Sequence, residues 1–182
     1  MYSSTVSDQQ NDHIDRILDQ WRKERPDLEV APLGLFGRLF RTAHLADTAL
    51  SEMLAEFSLH PGWFDVLAAL RRSGPPHELN PTQLMRTTML SSGGMTKRLD
   101  RLAGAGLVER RLDPDDRRGT LIRLTRRGKS TIDKAIEAHL ANEDDLLRSL
   151  SPAQRRSLDE LLRKFLADLE GRDGSGLREV PD

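Results

Sequence analysis

The 182-residue chain contains no cysteine, which excludes thiol redox sensing, disulfides and cysteine-ligated zinc or iron–sulfur clusters. That absence agrees with a reducing, cytoplasmic setting. No apolar run approaches the ~20 residues that span a bilayer, and Met1-Tyr2-Ser3-Ser4-Thr5 lacks the charged and apolar regions of a signal peptide, so no membrane partner is expected. The formal net charge is only −1, so the overall balance by itself predicts no nucleic acid. Internal repeats and low-complexity segments are also missing. The five histidines, His13, His44, His60, His77 and His139, fall on different expected elements without a paired i, i+4 spacing, which disfavours a metal sensor. Without a cysteine nucleophile, a phosphate loop or a convergent acid–base pair, the chain does not look like an enzyme, and no cofactor is expected.

What is present is concentrated between Leu90 and Lys129. Ser91 can cap a helix in which Met95, Leu99 and Leu102 share an inward stripe, while Gly93, Lys97 and Arg101 occupy the opposite side. Small and cationic residues on an outer face suit approach to phosphates and base edges. Beyond Gly104 and Gly106, Leu107 to Leu112 and Thr120 to Leu124 are expected as two strands around Asp113-Pro114-Asp115-Asp116-Arg117-Arg118-Gly119. From Glu109 to Lys129 there are eight cations against four acids, a local excess in a nearly neutral chain. A helix followed by a basic hairpin is the pattern of a winged helix-turn-helix that meets double-stranded DNA with one face.

The remaining segments frame that unit. Ile14, Ile17, Leu18 and Trp21 mark an amphipathic helix within Ser7 to Arg25, and Pro32 to Phe57 carries a wide apolar stripe including Leu35, Leu39, Phe40 and Leu50. Helices are expected over Gly62 to Arg72 and, behind the Asn80-Pro81-Thr82-Gln83 capping box, to about Thr88. A long helix from Arg126, with His139 counted on its apolar stripe, precedes another behind Ser151-Pro152-Ala153-Gln154. These stripes have few short-range partners. They suggest a homodimer in which the two C-terminal helices pack on the Pro32 to Phe57 helix of a second chain and set two recognition helices about one DNA turn apart. The organisation is therefore an N-terminal extension (1–31), a helical dimerisation region (32–57 and 126–170), a winged helix-turn-helix (58–125) and a flexible tail (171–182).

Four residues have no evident place in such a scaffold. Arg98 flanks the inward stripe, Arg110 alternates with Val108 and Leu112 and so points inward, Asp65 interrupts an apolar helix start, and Trp21 projects from the added helix. Asp65 with Arg98 and Arg110 is either a structural ion pair or the receptor for a small anion. In the second case two guanidiniums would offer planar donors and Asp65 would accept from a ligand N–H. Trp21 either anchors its helix or covers a flat ring. The anion could equally be a tricarboxylate, or the ligand a phenolic compound.

Thr96-Lys97-Arg98-Leu99-Asp100-Arg101-Leu102, Gly106-Leu107-Val108-Glu109-Arg110 and Asp113-Pro114-Asp115-Asp116-Arg117-Arg118 with Leu121-Ile122-Arg123-Leu124-Thr125 resemble the MarR family of dimeric winged-helix transcriptional regulators, from about Pro32 to Leu169. The helix with Trp21, the run Pro61 to Pro76 and Pro81-Thr82-Gln83-Leu84 resemble its urate-responsive, HucR/PecS-like branch. The resemblance implies a mainly helical, dimeric fold with a small β-hairpin wing, which acts as a repressor on a palindromic operator that urate or a similar aromatic anion releases. It implies urate contacts at Trp21, Asp65, Arg98 and Arg110. It further implies major-groove contacts from Ser91, Ser92, Gly94, Thr96 and Lys97, and a minor-groove contact from Arg118 with Arg117 beside it. Gly93-Gly94 stands where the family pattern has Gly-Ala, an exchange expected to weaken a helix by about 1 kcal/mol.

Overall fold

A computed structural model describes residues 11–88, 94–114 and 119–173. Ser91, Ser92, Arg117 and Arg118 lie outside these described residues.

Helix α1 (His13–Glu24) begins at Asp12, whose carboxylate accepts from the Asp15 N–H at 2.9 Å while the Asp15 carboxylate accepts from the Asp12 N–H at 3.0 Å. This reciprocal box satisfies two of the donors a helix start leaves over. Helix α1 lies on α2 (Ala31–Ala55). Leu18 and Ile14 cover Gly34 and Gly37, where added methyl groups would sit 2.9 and 3.1 Å away. Arg38 of α2 donates to Asp12 at 2.8 Å and to Asp15 at 2.6 Å, so the cap of one helix is the anchor of the other.

The centre is built by α3 (Pro61–Arg72), α4 (Pro81–Thr87) and α5 (Met95–Gly104). Val66, Leu67, Leu70, Leu84 and Leu102 are fully buried in it, as their helical spacing requires. The Asn80–Gln83 box expected at the start of α4 is present, with bonds of 2.8 and 2.9 Å.

The expected hairpin is β2 (Val108–Leu112) and β3 (Thr120–Leu124), and the structure adds a short strand, β1 (Glu78–Leu79), giving an antiparallel sheet in the order β1-β3-β2. Central β3 buries Ile122 and Leu124, whereas edge strand β2 is exposed after Val108. The enclosed position expected of Arg110 is not found. Arg110 opposes Ile122 in register and so shares its face, but it is not enclosed, and Leu112 is 81% exposed. A period of two assigns a face, while the end of the core decides burial, and β2 runs past that end.

Helix α6 (Arg126–Leu146) starts at Thr125, whose hydroxyl accepts from the Gly128 N–H at 2.9 Å, and contributes Ile132 and Ala135 to the core. Helix α7 (Pro152–Asp173) includes Gly171, so the expected tail does not begin there. The packing of α2 also differs from expectation, because it lies on α6 of its own chain, with Asn142 Nδ2 donating to the Ala49 carbonyl at 3.3 Å. Phe36 of α2 meets Phe165 of α7 edge-on at 5.9 Å. Leu35, Phe40, Leu161 and Leu166 nevertheless remain more than half exposed. Among the described residues no helix is long and apolar enough to cross a membrane.

Candidate functional site

The basic face is carried by α5. Met95, Leu99 and Leu102 are buried, so Thr96, Lys97, Asp100 and Arg101 stand exposed on the other side. Helix α5 spans Met95–Gly104, and Ser91, its expected cap, lies outside the described residues. Gly94 is its N-terminal flanking residue, with φ of 89°, a left-handed conformation that costs residues with a Cβ about 1–2 kcal/mol. The glycine expected to weaken the helix therefore stands outside it, where it permits the turn that starts α5. Behind α5, Glu109, Arg110 and Arg111 are exposed on β2, and Arg126 and Arg127 on the first turn of α6.

A second cluster gathers at the start of α3. Arg98 leaves the flank of α5 and lays its guanidinium against Gly62, where a methyl group would meet Nε at 2.7 Å. Its Nη1 is buried without a hydrogen-bond partner. Asp65 lies three residues after Gly62 and so on the same face of α3. Burial holds its carboxyl above the usual range, against the opposing pull of the Arg72, Arg98 and His139 charges. Among the described residues no ion pair within 4.0 Å joins Asp65 to Arg98 or Arg110. His60, just before α3, is held below the usual imidazole range by burial and then by the cations Arg98 and Arg101.

The His139 ring of α6 packs on Phe64, the residue before Asp65, with centroids 4.5 Å apart. Its Nε2 lies 3.1 Å from Glu143 Oε1, and its Nδ1 is buried and unpartnered. Trp63 Nε1 is likewise buried without a partner, its ring 5.0 Å from that of His60. Leaving a buried polar group unsatisfied costs about 1–3 kcal/mol, so this region gains by admitting an acceptor for Arg98 Nη1 and Trp63 Nε1 and, with the ring proton on Nε2 toward Glu143, a donor for His139 Nδ1.

The fold therefore brings Asp65 and Arg98 together and adds His60, Trp63 and His139, which sequence reasoning did not select. For His139 the available signal was a polar residue on an apolar stripe with an acid, Glu143, one turn later. Arg110 does not join this group. Its Nη2 donates to Asp100 Oδ1 of α5 at 2.6 Å. Trp21 is 45% exposed on α1, which packs on α2. Ser91, Ser92, Arg117 and Arg118 fall outside the described residues.

Residues 57–119, from before α3 to the wing, match a family model described as the MarR family. The chain is 39% identical over 149 residues to the HTH-type transcriptional regulator PecS of Dickeya dadantii, spanning 82% of this chain and 90% of that protein. To the multiple antibiotic resistance protein MarR of Escherichia coli it is 30% identical over 145 residues, covering 76% and 93% respectively. The crystal structure of a mutant E. coli MarR complexed with operator DNA superposes with a TM-score of 0.65 at 26% identity, over 80% of this chain and 97% of that one.

Proposed function

Because this chain belongs to the MarR family of DNA-binding transcriptional regulators, we propose that it is a cytoplasmic, homodimeric repressor whose operator binding is released by a small aromatic anion, urate in the first instance. The observation that carries the ligand reading is Arg98, a residue of the recognition helix with a buried, unpartnered Nη1 beside a half-buried Asp65. An anion bound there gains charge-assisted hydrogen bonds from Arg98, and an N–H on the same ligand finds its acceptor in Asp65. The assignment of Trp21 and Arg110 to the same ligand rests on the resemblance to the urate-responsive branch.

On the DNA side, Lys97, Thr96 and Arg101 meet the major groove from the exposed face of α5, with Gly94 at its start, and the family resemblance adds Ser91 and Ser92. Arg118 and Arg117 serve the minor groove from the wing. The exposed apolar stripes of α2 and α7 support a two-fold dimer that presents two such helices to a palindromic site.

Ligand and operator would compete through one helix. A pull on Arg98 moves Lys97, its sequence neighbour, and a differential affinity of ~1–3 kcal/mol gives a five- to hundredfold effect. The test is fluorescence anisotropy on the duplex upstream of the chain's own gene, at fixed salt, titrated with urate and separately with citrate and salicylate. Release by urate at concentrations where the others do nothing is the expected result. A complex that none of them disturbs removes the effector assignment, and release by citrate or salicylate alone replaces it.

A further inference from the structure

The outer face of α5 carries one acid. Asp100 lies three residues after Lys97, so its carboxylate stands one turn on and beside that cation on the exposed side of the helix, while Arg101 lies four residues after Lys97 on the other flank. A bare carboxylate on a face that approaches phosphates repels them. In this structure it is not bare. Arg110 reaches across from β2, and its Nη2 donates to Asp100 Oδ1 at 2.6 Å. Register places Arg110 opposite buried Ile122 on the sheet face shared with the core. The strand thus holds the root of the side chain while the guanidinium emerges at the helix. Both partners are largely exposed, 43% and 61% of their side-chain surface, so the pair contributes little to holding the fold. Its consequence lies in the charge that α5 presents.

We propose that Arg110 supports operator affinity through Asp100. It neutralises the lone acid of the recognition helix, as a positioning residue that makes no DNA contact of its own. This rests on the operator-binding reading above and is independent of which ligand, if any, releases the complex.

The test is a double-mutant cycle read by anisotropy on the labelled upstream duplex, at several salt concentrations and without effector. Arg110→Gln is expected to weaken binding by about three- to tenfold at low salt. Adding Asp100→Asn to it should restore affinity to within about twofold of wild type, and Asp100→Asn alone should bind no worse than wild type. Restoring net charge elsewhere supplies the control, since Arg110→Gln with Glu109→Gln has the same total charge as the rescued pair. Equal rescue by Glu109→Gln would reduce the effect to net charge and overturn the pairing. Failure of Asp100→Asn to rescue would make Arg110 a direct DNA contact and overturn it as well, as would an Arg110→Gln variant that binds like wild type. Absence of binding by the wild-type chain would instead defeat the operator reading itself, which separates the two failures. Unchanged unfolding midpoints across the cycle are expected and confirm that the affinities compare folded proteins.

Discussion

The apolar residues of α3, α5 and the first half of α6 and those of α7 and the first half of α2 recur at the same helical spacings, yet they end in different surroundings. In the first set Leu67, Leu70, Leu102 and Ile132 are almost wholly removed from water, enclosed by one another and by Ile122 and Leu124 of the sheet. In the second set Leu35 and Phe40 of α2, with Leu161 and Leu166 of α7, stand more than half exposed even though α2 already lies on α6. Periodicity says that a helix has an apolar face; it does not say whether the face is satisfied within the chain. The core of the winged unit closes within one copy, whereas the helical frame leaves an apolar surface uncovered.

Breaking the complete region should have the largest effect. Leu102→Ala leaves a void at a fully buried position and should lower stability by about 2–5 kcal/mol, seen as a lower urea midpoint that does not depend on protein concentration. In the incomplete region Leu161→Ser should leave helix content intact but weaken self-association about tenfold or more, measured by sedimentation across a dilution series. If Leu161→Ser instead behaves like Leu102→Ala, independent of concentration, the two regions do not differ in kind.

Two further changes sharpen the boundaries of the winged unit. Gly94→Ala puts a Cβ on a backbone with φ of 89° and should cost about 1–2 kcal/mol, or force the start of α5 to move, detectable as a lower thermal midpoint. A midpoint equal to wild type would show that the turn relaxes freely. Asn80→Ala removes the side chain that accepts from the Gln83 N–H at 2.8 Å and should cost about 1 kcal/mol, read from the same denaturation curves.

The smallest effect concerns Asp65 and appears as a pH slope. Its carboxyl titrates above the ordinary value of 3.8 in the folded chain because it is partly buried. The folded state therefore holds this proton to higher pH than the unfolded state does. The stabilisation this provides is complete below the ordinary carboxylate range and is lost as pH rises through the folded value. Asp65→Asn removes that loss, so urea titrations should show wild type losing more stability than the variant across that interval. Parallel curves would mean that burial does not perturb Asp65 in solution.

The helices were legible because each is announced locally. Asn80-Pro81-Thr82-Gln83 and Ser151-Pro152-Ala153-Gln154 are caps whose hydrogen bonds close within three residues, and both appear where their chemistry places them. The inward stripe Met95, Leu99 and Leu102 was legible for the same reason. The candidate ligand site was legible only in part. Asp65 and Arg98 announced themselves as charges on apolar stripes, and the fold brings them close. His60, which precedes α3, carries no mark in the sequence, and His139, although a polar residue on an apolar stripe, shows what packs beside it only once α3 and α6 meet. Arg110 was assigned the correct face of β2 and the wrong surroundings, because alternation along a strand contains no information about where the neighbouring helix ends.

By itself the sequence determined the mainly helical class, the hairpin, the caps and the position of the basic face, all of which depend on residues within a few places of one another. Tertiary structure alone decided that Arg110 answers Asp100 rather than Asp65, that Arg98 lies on Gly62 with one nitrogen unsatisfied, and that His139 borders Asp65. Those outcomes depend on the distances between separate elements. Such distances are set when the core closes and each long side chain takes the partner that packing leaves within its reach.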